Sequence, residues 1–349
     1  MGEAGQQGGR NAMSPAPGNP FDQQRSLATG GALALLERGV VTVGGPDRLG
    51  WLDSVTSQRL DRLAPGESAE TLLLDPNGRI EHAMRVVDDG ETAWLIVDAG
   101  EAPPLAAWLE RMRFMLRVEI ADRTEDLAVV GYAGAGGRVE GVVTWHDPWG
   151  SGVQPGGWQY STAADHPAAD WSWSEAVVAR EAVAGLGELM PAAAAEALRV
   201  AAWRPAFSRE VDERTIPHEL DWLRSAVHLD KGCYRGQETV AKVHNLGHPP
   251  RRLVFLHVDG SDHELPEHGD DVVLAGTDDV VGAVTSGANH WELGPIALAV
   301  VKRSVDPAAA LEVRRGEVRL AAAQEVVVPP DAGATADVPR IPRLGSVRR

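Results

Sequence analysis

Residues 231–248 read KGCYRGQETVAKVHNLGH and contain the only cysteine in a chain of 349 residues. Lys231 stands two residues before Cys233, and Arg235 two after. Gly232 and Gly236 loosen the backbone there and let a ligand come close to the main chain. From about Tyr234 the pattern turns helical, with Val240, Val243 and Leu246 on one face and Asn245-Leu246-Gly247 as its stop. Glu238 falls early in that helix, where its charge suits the dipole. Cys233 then lies at the helix mouth, between two cations, and both features favour thiolate over thiol. The spacing predicts a reactive nucleophile, provided the thiol is at least partly exposed. The same residues also allow a buried, inert cysteine in a tight turn.

Upstream, GVVTVGGPDRLGWLDSVTSQ reads as a strand, a Gly-Gly turn and a helix in whose first turn Pro46 fits. Leu49, Leu52 and Val55 share a buried face. TLLLDPNGRIEHAMRVVDDGETAWLIVD predicts three antiparallel strands, with Asp75-Pro76-Asn77-Gly78 as a type I turn and Asp89-Gly90 as the second turn. APPLAAWLERMRFML predicts a helix whose apolar face carries Leu105, Trp108, Leu109 and Met112. Residues from about 146 to 174 are rich in Gly, Pro, Asp and Trp and read as an irregular, surface-lying insertion. Their tryptophans either form a ligand platform or pack locally. Two alanine-rich helical stretches follow, the second beginning at Pro191. Downstream of Pro249-Pro250, short strands (RRLVFLHV, DVVLAG, DVVGAVTSG, GPIALAVVKR, ALEV and VRLA) suggest a small barrel or sandwich. The organisation predicted is a disordered tail over 1–25, a main domain over 26–248, a β-barrel over 249–326 and a tail over 327–349, in an α+β protein.

Composition narrows the function. A net charge of −17 disfavours direct binding to duplex nucleic acid. The basic end, with Arg340, Arg343, Arg348 and Arg349, reads as a solvated tail, with an interaction tail as the other reading. No apolar run is long enough to span a membrane, no signal peptide is visible, and Gln6 replaces the Ser or Thr of a myristoylation motif. These features predict a cytoplasmic protein. Gly45 and Gly50 have phosphate-loop spacing, but Trp51 stands where the lysine belongs. Gly134 and Gly136 start a dinucleotide pattern that Val139 breaks. His244 and His248 are separated from a common helical face by Gly247, and a single thiolate cannot hold an iron–sulfur cluster alone. No Gly-x-Ser-x-Gly elbow is present.

The run Lys231, Gly232, Cys233, Tyr234, Gly236, Gln237 and Glu238 resembles the K-G-C-Y-x-G-Q-E signature of the YgfZ-type folate-binding proteins, relatives of the glycine-cleavage T-protein (aminomethyltransferase). VTVGGPDRLGWLDSVTSQ, LLLDPNGRI, IPHEL, VGAVTSG and GPIALAVVKR resemble further segments of that family. The likeness runs from about Val40 to Arg303, without the insertion and the tails. It implies a three-part body around a central folate pocket, closed by a small C-terminal β-barrel. It also implies tetrahydrofolate or another reduced folate as cofactor, and iron–sulfur enzymes, including those that modify tRNA, as partners. Cys233 and Lys231 are then the reactive residues, with Tyr234, Gly236, Gln237 and Glu238 near the folate.

T-proteins usually carry Arg-Leu-Glu-Ala-Gly, whose carboxylate faces the pterin. Here the matching stretch is Arg199-Val200-Ala201-Ala202-Trp203, so Arg199 is kept and Ala201 removes the carboxylate. A methyl group accepts no hydrogen bond, and unpaired buried donors cost affinity. Glu219 is a candidate substitute, with a surface or capping role as the alternative. Asp98 is the nearest candidate for the T-protein catalytic aspartate. The reading is a folate-binding protein that supports iron–sulfur cluster assembly or repair through Cys233. The alternatives are an aminomethyltransferase-like one-carbon transfer enzyme and a non-catalytic scaffold.

Overall fold

The hairpin turn at Asp75–Gly78 forms as its residues dictate. The Gly78 N–H donates to the Asp75 carbonyl at 3.0 Å, and the Asp75 carboxylate accepts the N–H groups of Asn77 and Arg79 at 2.7 and 2.8 Å. A computed structural model describes residues 18–134, 139–261 and 264–336. The chain begins with α1 (Pro20–Ala28), β1 (Leu33–Leu36), β2 (Arg38–Gly44), α2 (Arg48–Val55) and the meander β3 (Ser68–Leu74), β4 (Ile80–Asp88) and β5 (Thr92–Asp98). It continues through α3 (Ala102–Met112), β6 (Glu119–Asp122), β7 (Leu127–Ala133), β8 (Val143–His146), β9 (Trp173–Ala179) and β10 (Leu189–Met190). Four helices follow: α4 (Ala192–Ala201), α5 (Phe207–Glu210), α6 (Leu223–Ala226) and α7 (Gln237–Leu246). The last strands are β11 (Arg251–Val258), β12 (Asp271–Leu274), β13 (Val280–His290), β14 (Gly294–Lys302), β15 (Leu311–Arg315) and β16 (Val318–Val326).

The fold is α+β, and it has three parts. One sheet runs β3-β4-β5-β2-β6, a second runs β10-β1-β7-β9-β8, and the final six strands close into a barrel. All strand pairs are antiparallel except the two-residue contact of β1 with β10. Alternation assigns each side chain a face. Val41, Val43, Val86 and Leu95 meet Leu52 of α2 and Leu105 and Leu109 of α3. Their neighbours Val40, Val87 and Ile96 turn the other way, against Val129 and Val177 of the second sheet. The first sheet is thus covered on both faces, and each fully buried aliphatic side chain contributes about 1.5–3 kcal/mol. In the barrel, Val254 and Leu256 point inward, while Leu253 and Phe255 of the same strand pack on the body.

Several expectations need correction. A helix starts at Pro20, so the N-terminal tail does not reach residue 25: Gln24 and Leu27 are buried, and Asn19 caps the helix through the Phe21 N–H. The C-terminal tail does not start at 327 either. Val327 and Val328 are buried, and Thr335 and Ala336 donate backbone hydrogen bonds to the end of α7. Residues 1–17 and the basic stretch with Arg340, Arg343, Arg348 and Arg349 lie outside the described residues. The insertion is not surface-lying: Trp149 is fully buried in the main core with Tyr160 and Ala168. The first alanine-rich stretch is strand β9, because Ala176, Val177 and Val178 are sandwiched on both sides of the sheet. α3 ends at Met112, before exposed Phe114 and Met115. In α7 the buried positions are Val240 and His244, and Leu246 is exposed.

Asp221 follows the short turn Pro217–Leu220 in a left-handed conformation, with φ 54° and ψ 23°. One carboxyl oxygen accepts the Tyr160 N–H at 2.6 Å, and the other has no partner. Burial outweighs the hydrogen bonds and Arg224, and pushes its pKa up to about 7. Between the ordinary value near ~4 and that value, the folded chain holds a proton that the unfolded chain has released, so this contribution falls as pH rises. Asp221→Asn, a residue tolerated in left-handed backbone, should therefore gain stability relative to the parent between about pH 4 and about pH 7. Urea unfolding across that range measures it, and a constant difference between the two proteins would refute the assignment.

Candidate functional site

A cavity of about 390 Å³ opens where the two sheets, α4 and the barrel strand β13 converge. Arg38 and Arg85 reach it from the first sheet, Trp173 and Glu175 from β9, Glu196 and Arg199 from α4, and Gly287 from β13. Its walls are charged and almost fully neutralised. Arg38 donates to Asp98 at 2.8 Å and to both Glu175 oxygens at 3.2 and 3.0 Å. Arg85 adds Asp98 at 3.1 Å, and Asp98 also accepts the Ser208 N–H at 2.9 Å. Burial alone would raise the Asp98 pKa, but Arg38 and Arg85 outweigh it and hold the carboxyl well below the usual range. The same two guanidiniums outweigh burial at Glu175.

Two further networks complete the wall. Arg204 donates to Asp147 at 2.9 Å and to Glu70 at 2.5 Å. Arg199 grips Glu196 with two hydrogen bonds, at 2.8 and 2.6 Å, and reaches Glu210 at 3.0 Å and Ser286 at 2.6 Å. Glu210 in turn accepts from Ala206 N–H, Thr285 and Ser286. Trp171 and Trp173 stack with ring centroids 5.3 Å apart, and the Trp171 indole N–H donates to Asp147 at 2.8 Å. Arg209, about half exposed, lies 4.0 Å from Glu196. Such a site can bind a flat polar molecule against the indoles and an anionic group at Arg209. Burial would raise the Glu175 and Glu196 carboxyls, but their arginines outweigh it and hold both below the ordinary range, so neither is poised as a general base near neutral pH.

The signature segment lies elsewhere, and its residues do not line this cavity. Cys233 is exposed. The two cations do not frame it. Lys231 turns inward and donates to the carbonyl oxygens of Asp53, Thr56 and Gln58, capping α2, with the Asp53 carboxylate at 3.2 Å. Burial outweighs Asp53 and lowers its pKa. Arg235 pairs with Glu81 at 2.5 Å and lies over Trp108. Tyr234 is buried in the core, Gln237 bonds the Lys231 carbonyl at 3.3 Å, and Glu238 is exposed in the first turn of α7. Gly236 has φ 85°, and a Cβ there would sit 2.6 Å from the Asp75 carbonyl. The helix start is thus seated on the hairpin turn. Glu219 is buried and bonded to Arg251 at 3.1 and 2.8 Å, away from the cavity. Burial raises its pKa in spite of that arginine.

Of the residues expected at the site, Arg199 lines the cavity and Asp98 anchors two of its arginines; Lys231–Glu238 and Glu219 are placed apart. Sequence reasoning missed Arg38, Arg85, Glu175, Glu70 and Arg204. The available signal was an ionisable residue within an otherwise apolar strand, as in HAMRVV and SEAVVA, because such a charge stays buried only when paired.

Residues 251–330 match the family model for the glycine cleavage T-protein C-terminal barrel domain. The chain is 29% identical over 321 residues to an aminomethyltransferase of Rippkaea orientalis, covering 81% of this chain and 82% of that one. It is 29% identical over 309 residues to an aminomethyltransferase of Moorella thermoacetica, covering 80% of each. The solved structure of glycine cleavage system aminomethyltransferase T from Bartonella henselae superposes with a TM-score of 0.67 at 17% identity, over 90% of each chain. These similarities support placement in the T-protein superfamily, and the structural likeness shows the shared fold.

Lys231 and Cys233 should separate cleanly on mutation. Lys231→Met strands three buried carbonyls and should cost about 3 kcal/mol. Cys233→Ser, at an exposed position, should stay within about 0.5 kcal/mol of the parent. Chemical unfolding of both variants decides; a neutral Lys231→Met would show that the ammonium is not a structural cap.

Proposed function

We propose that the protein binds a reduced folate in the central cavity and, through the thiol of Cys233, supports the assembly or repair of iron–sulfur proteins. This is the role that resemblance to the YgfZ-type proteins implies. The observation that carries it is the division of labour in the chain: Asp147, Glu175 and Glu196 of the cavity wall are paired with arginines, while the one thiol faces solvent. The cavity residues suit a folate. The stacked indoles offer a face to the flat pterin. Glu175 and Glu196 keep lone pairs beyond those their arginines use, which can accept from pterin donors. Arg209 suits the glutamyl carboxylates. Among the described residues, no group of three or more His, Cys, Asp or Glu side chains could hold a metal, so an iron–sulfur centre enters this reading as a partner's property.

Calorimetry with tetrahydrofolate should give saturable binding, and Arg209→Glu should weaken it about tenfold, or about 1.4 kcal/mol. Absence of heat and of thermal shift with several reduced folates would remove the folate reading. Cys233→Ser should fail to complement cells lacking the native protein while remaining folded, and normal complementation would remove the thiol from the function.

The names of the curated relatives favour a second reading, aminomethyl transfer. Two features weigh against it here. Ala201 stands where T-proteins usually carry the pterin-facing glutamate and lines an adjoining cavity rather than the central one, and Asp98 is locked between Arg38 and Arg85. Misplaced reactants lose large factors in rate. With lipoyl carrier protein and tetrahydrofolate supplied, the chain should show no turnover. Robust turnover, lost in Asp98→Asn and kept in Cys233→Ser, would establish the second reading in place of the first.

A further inference from the structure

Three distant stretches of chain meet around a cavity of about 450 Å³ that shares no lining residue with the central one. Gln58, Arg59 and Arg62 come from the segment after α2, Pro148 and Gln154 from the insertion, and His228 from the segment after α6. The first and last of these stretches are tied rung by rung. His228 donates its backbone N–H to the Ser57 carbonyl at 2.9 Å, the Gln58 side-chain amide donates to the Ser225 carbonyl at 2.9 Å, and the Arg59 guanidinium donates to the Asp230 carbonyl at 3.2 Å. Two carboxylates also contribute to the wall, and both are engaged. Glu70 is bonded to Arg204 at 2.5 Å and to the Ser225 hydroxyl at 2.6 Å, and exposed Glu67 accepts the Ala64 N–H at 3.0 Å.

The donors that line this space are fixed and unspent. His228 is 8% exposed, and Gly156, with φ 74°, lies against its imidazole, where a Cβ would come within 2.3 Å of Nδ1. Nδ1 accepts the Asp230 N–H at 3.2 Å. Burial, reinforced by Arg59, lowers the His228 pKa, so the ring is neutral near pH 7 and its one proton sits on Nε2. Among the described residues Nε2 has no hydrogen-bond partner, and unlike Nδ1 of His218 it is not sealed from solvent. Nor do Nε and Nη1 of Arg59 have a partner there. Arg62, its side chain 81% exposed, has only Asp61 beside it, at 3.9 Å. By contrast Arg38, Arg85, Arg199, Arg204 and Arg251 are all bound to carboxylates.

We propose that this cavity binds a phosphoryl dianion, held by the Nε2–H of His228 and the guanidiniums of Arg59 and Arg62. Guanidiniums engage phosphate oxygens two at a time, and a neutral imidazole adds a directed donor. A carboxylate offers two oxygens in one plane to these three donor groups, whereas a phosphoryl group offers three, one for each. An uncharged ligand forgoes the charge-assisted bonds, and a cation is opposed by both arginines. The space is larger than a phosphate ion, and Leu63, Pro148 and Pro155 give it an apolar side, so it has room for the organic part of an ester. This site does not depend on folate binding in the central cavity.

Full-length protein labelled with nitrogen-15 in its histidines is titrated with inorganic phosphate, phenyl phosphate and benzoate at about pH 8, where phosphate monoesters are dianions. Both phosphates should bind saturably and shift the Nε2 resonance of His228, which is identified by its loss in His228→Asn. Benzoate should bind at least about tenfold more weakly than phenyl phosphate. Arg59→Gln should weaken phenyl phosphate about tenfold, and Arg62→Gln should act in the same direction. Phenyl phosphate binding more tightly than inorganic phosphate marks an esterified ligand, and equal or weaker binding marks free phosphate. No saturable binding of either phosphate, an unmoved His228 resonance, benzoate as tight as phenyl phosphate, or an affinity unchanged in both arginine variants would each overturn the proposal. Should Arg59→Gln or His228→Asn fail to fold, Arg62→Gln and the three-probe comparison still decide.

Discussion

The two sheets of the body meet over four buried charges. Arg38 and Arg85 come from β2 and β4, the two strands that flank β5, Asp98 from β5 itself, and Glu175 from the facing sheet. Ions taken from water are tolerable only when each finds its opposite with good geometry. That condition fixes how the sheets sit: a slip of one residue in β2 or β5 would turn Arg38 or Asp98 to the other face. The aliphatic layer beside the charges supplies the attraction, since hydrophobic burial is non-directional. The charges supply the register. They also keep the space beside them polar, and so the central cavity is walled by guanidiniums and carboxylates rather than filled by side chains.

The lone thiol has a different setting from the one its neighbours suggest. Lysine and arginine on either side of a cysteine read as electrostatic activation, but both cations have structural work. Lys231 closes the C-terminal end of α2, and Arg235 ties the loop to Glu81 on β4. Gly236 is glycine because the hairpin turn at Asp75 leaves no room for a Cβ. Two stretches separated by about 150 residues thus form a single joint, and the outcome of their fit is that Cys233 is held outward on a stiff support.

Much of this was legible in the sequence. The β3–β5 meander and the six barrel strands follow from alternation and turn residues, which are local signals. The insertion was not legible. Its Gly, Pro and Asp content describes backbone irregularity, while the burial of Trp149, Tyr160 and Ala168 depends on a pocket formed by α6 and the barrel-facing core. The same holds for the site: no local pattern joins Arg38 to Glu175, which are 137 residues apart. Strand β9 was masked by alanine, a helix former whose preference yields when both faces of a sheet position are covered.

Glu210 bears on motion. It receives Arg199 and the Ala206 N–H from the body, and Thr285 and Ser286 from the barrel, with no exposure to solvent. Swinging the barrel outward would strip this carboxylate of two donors at once, and the cost appears before any new contact can form. This shared carboxylate therefore opposes separation of the barrel from the body.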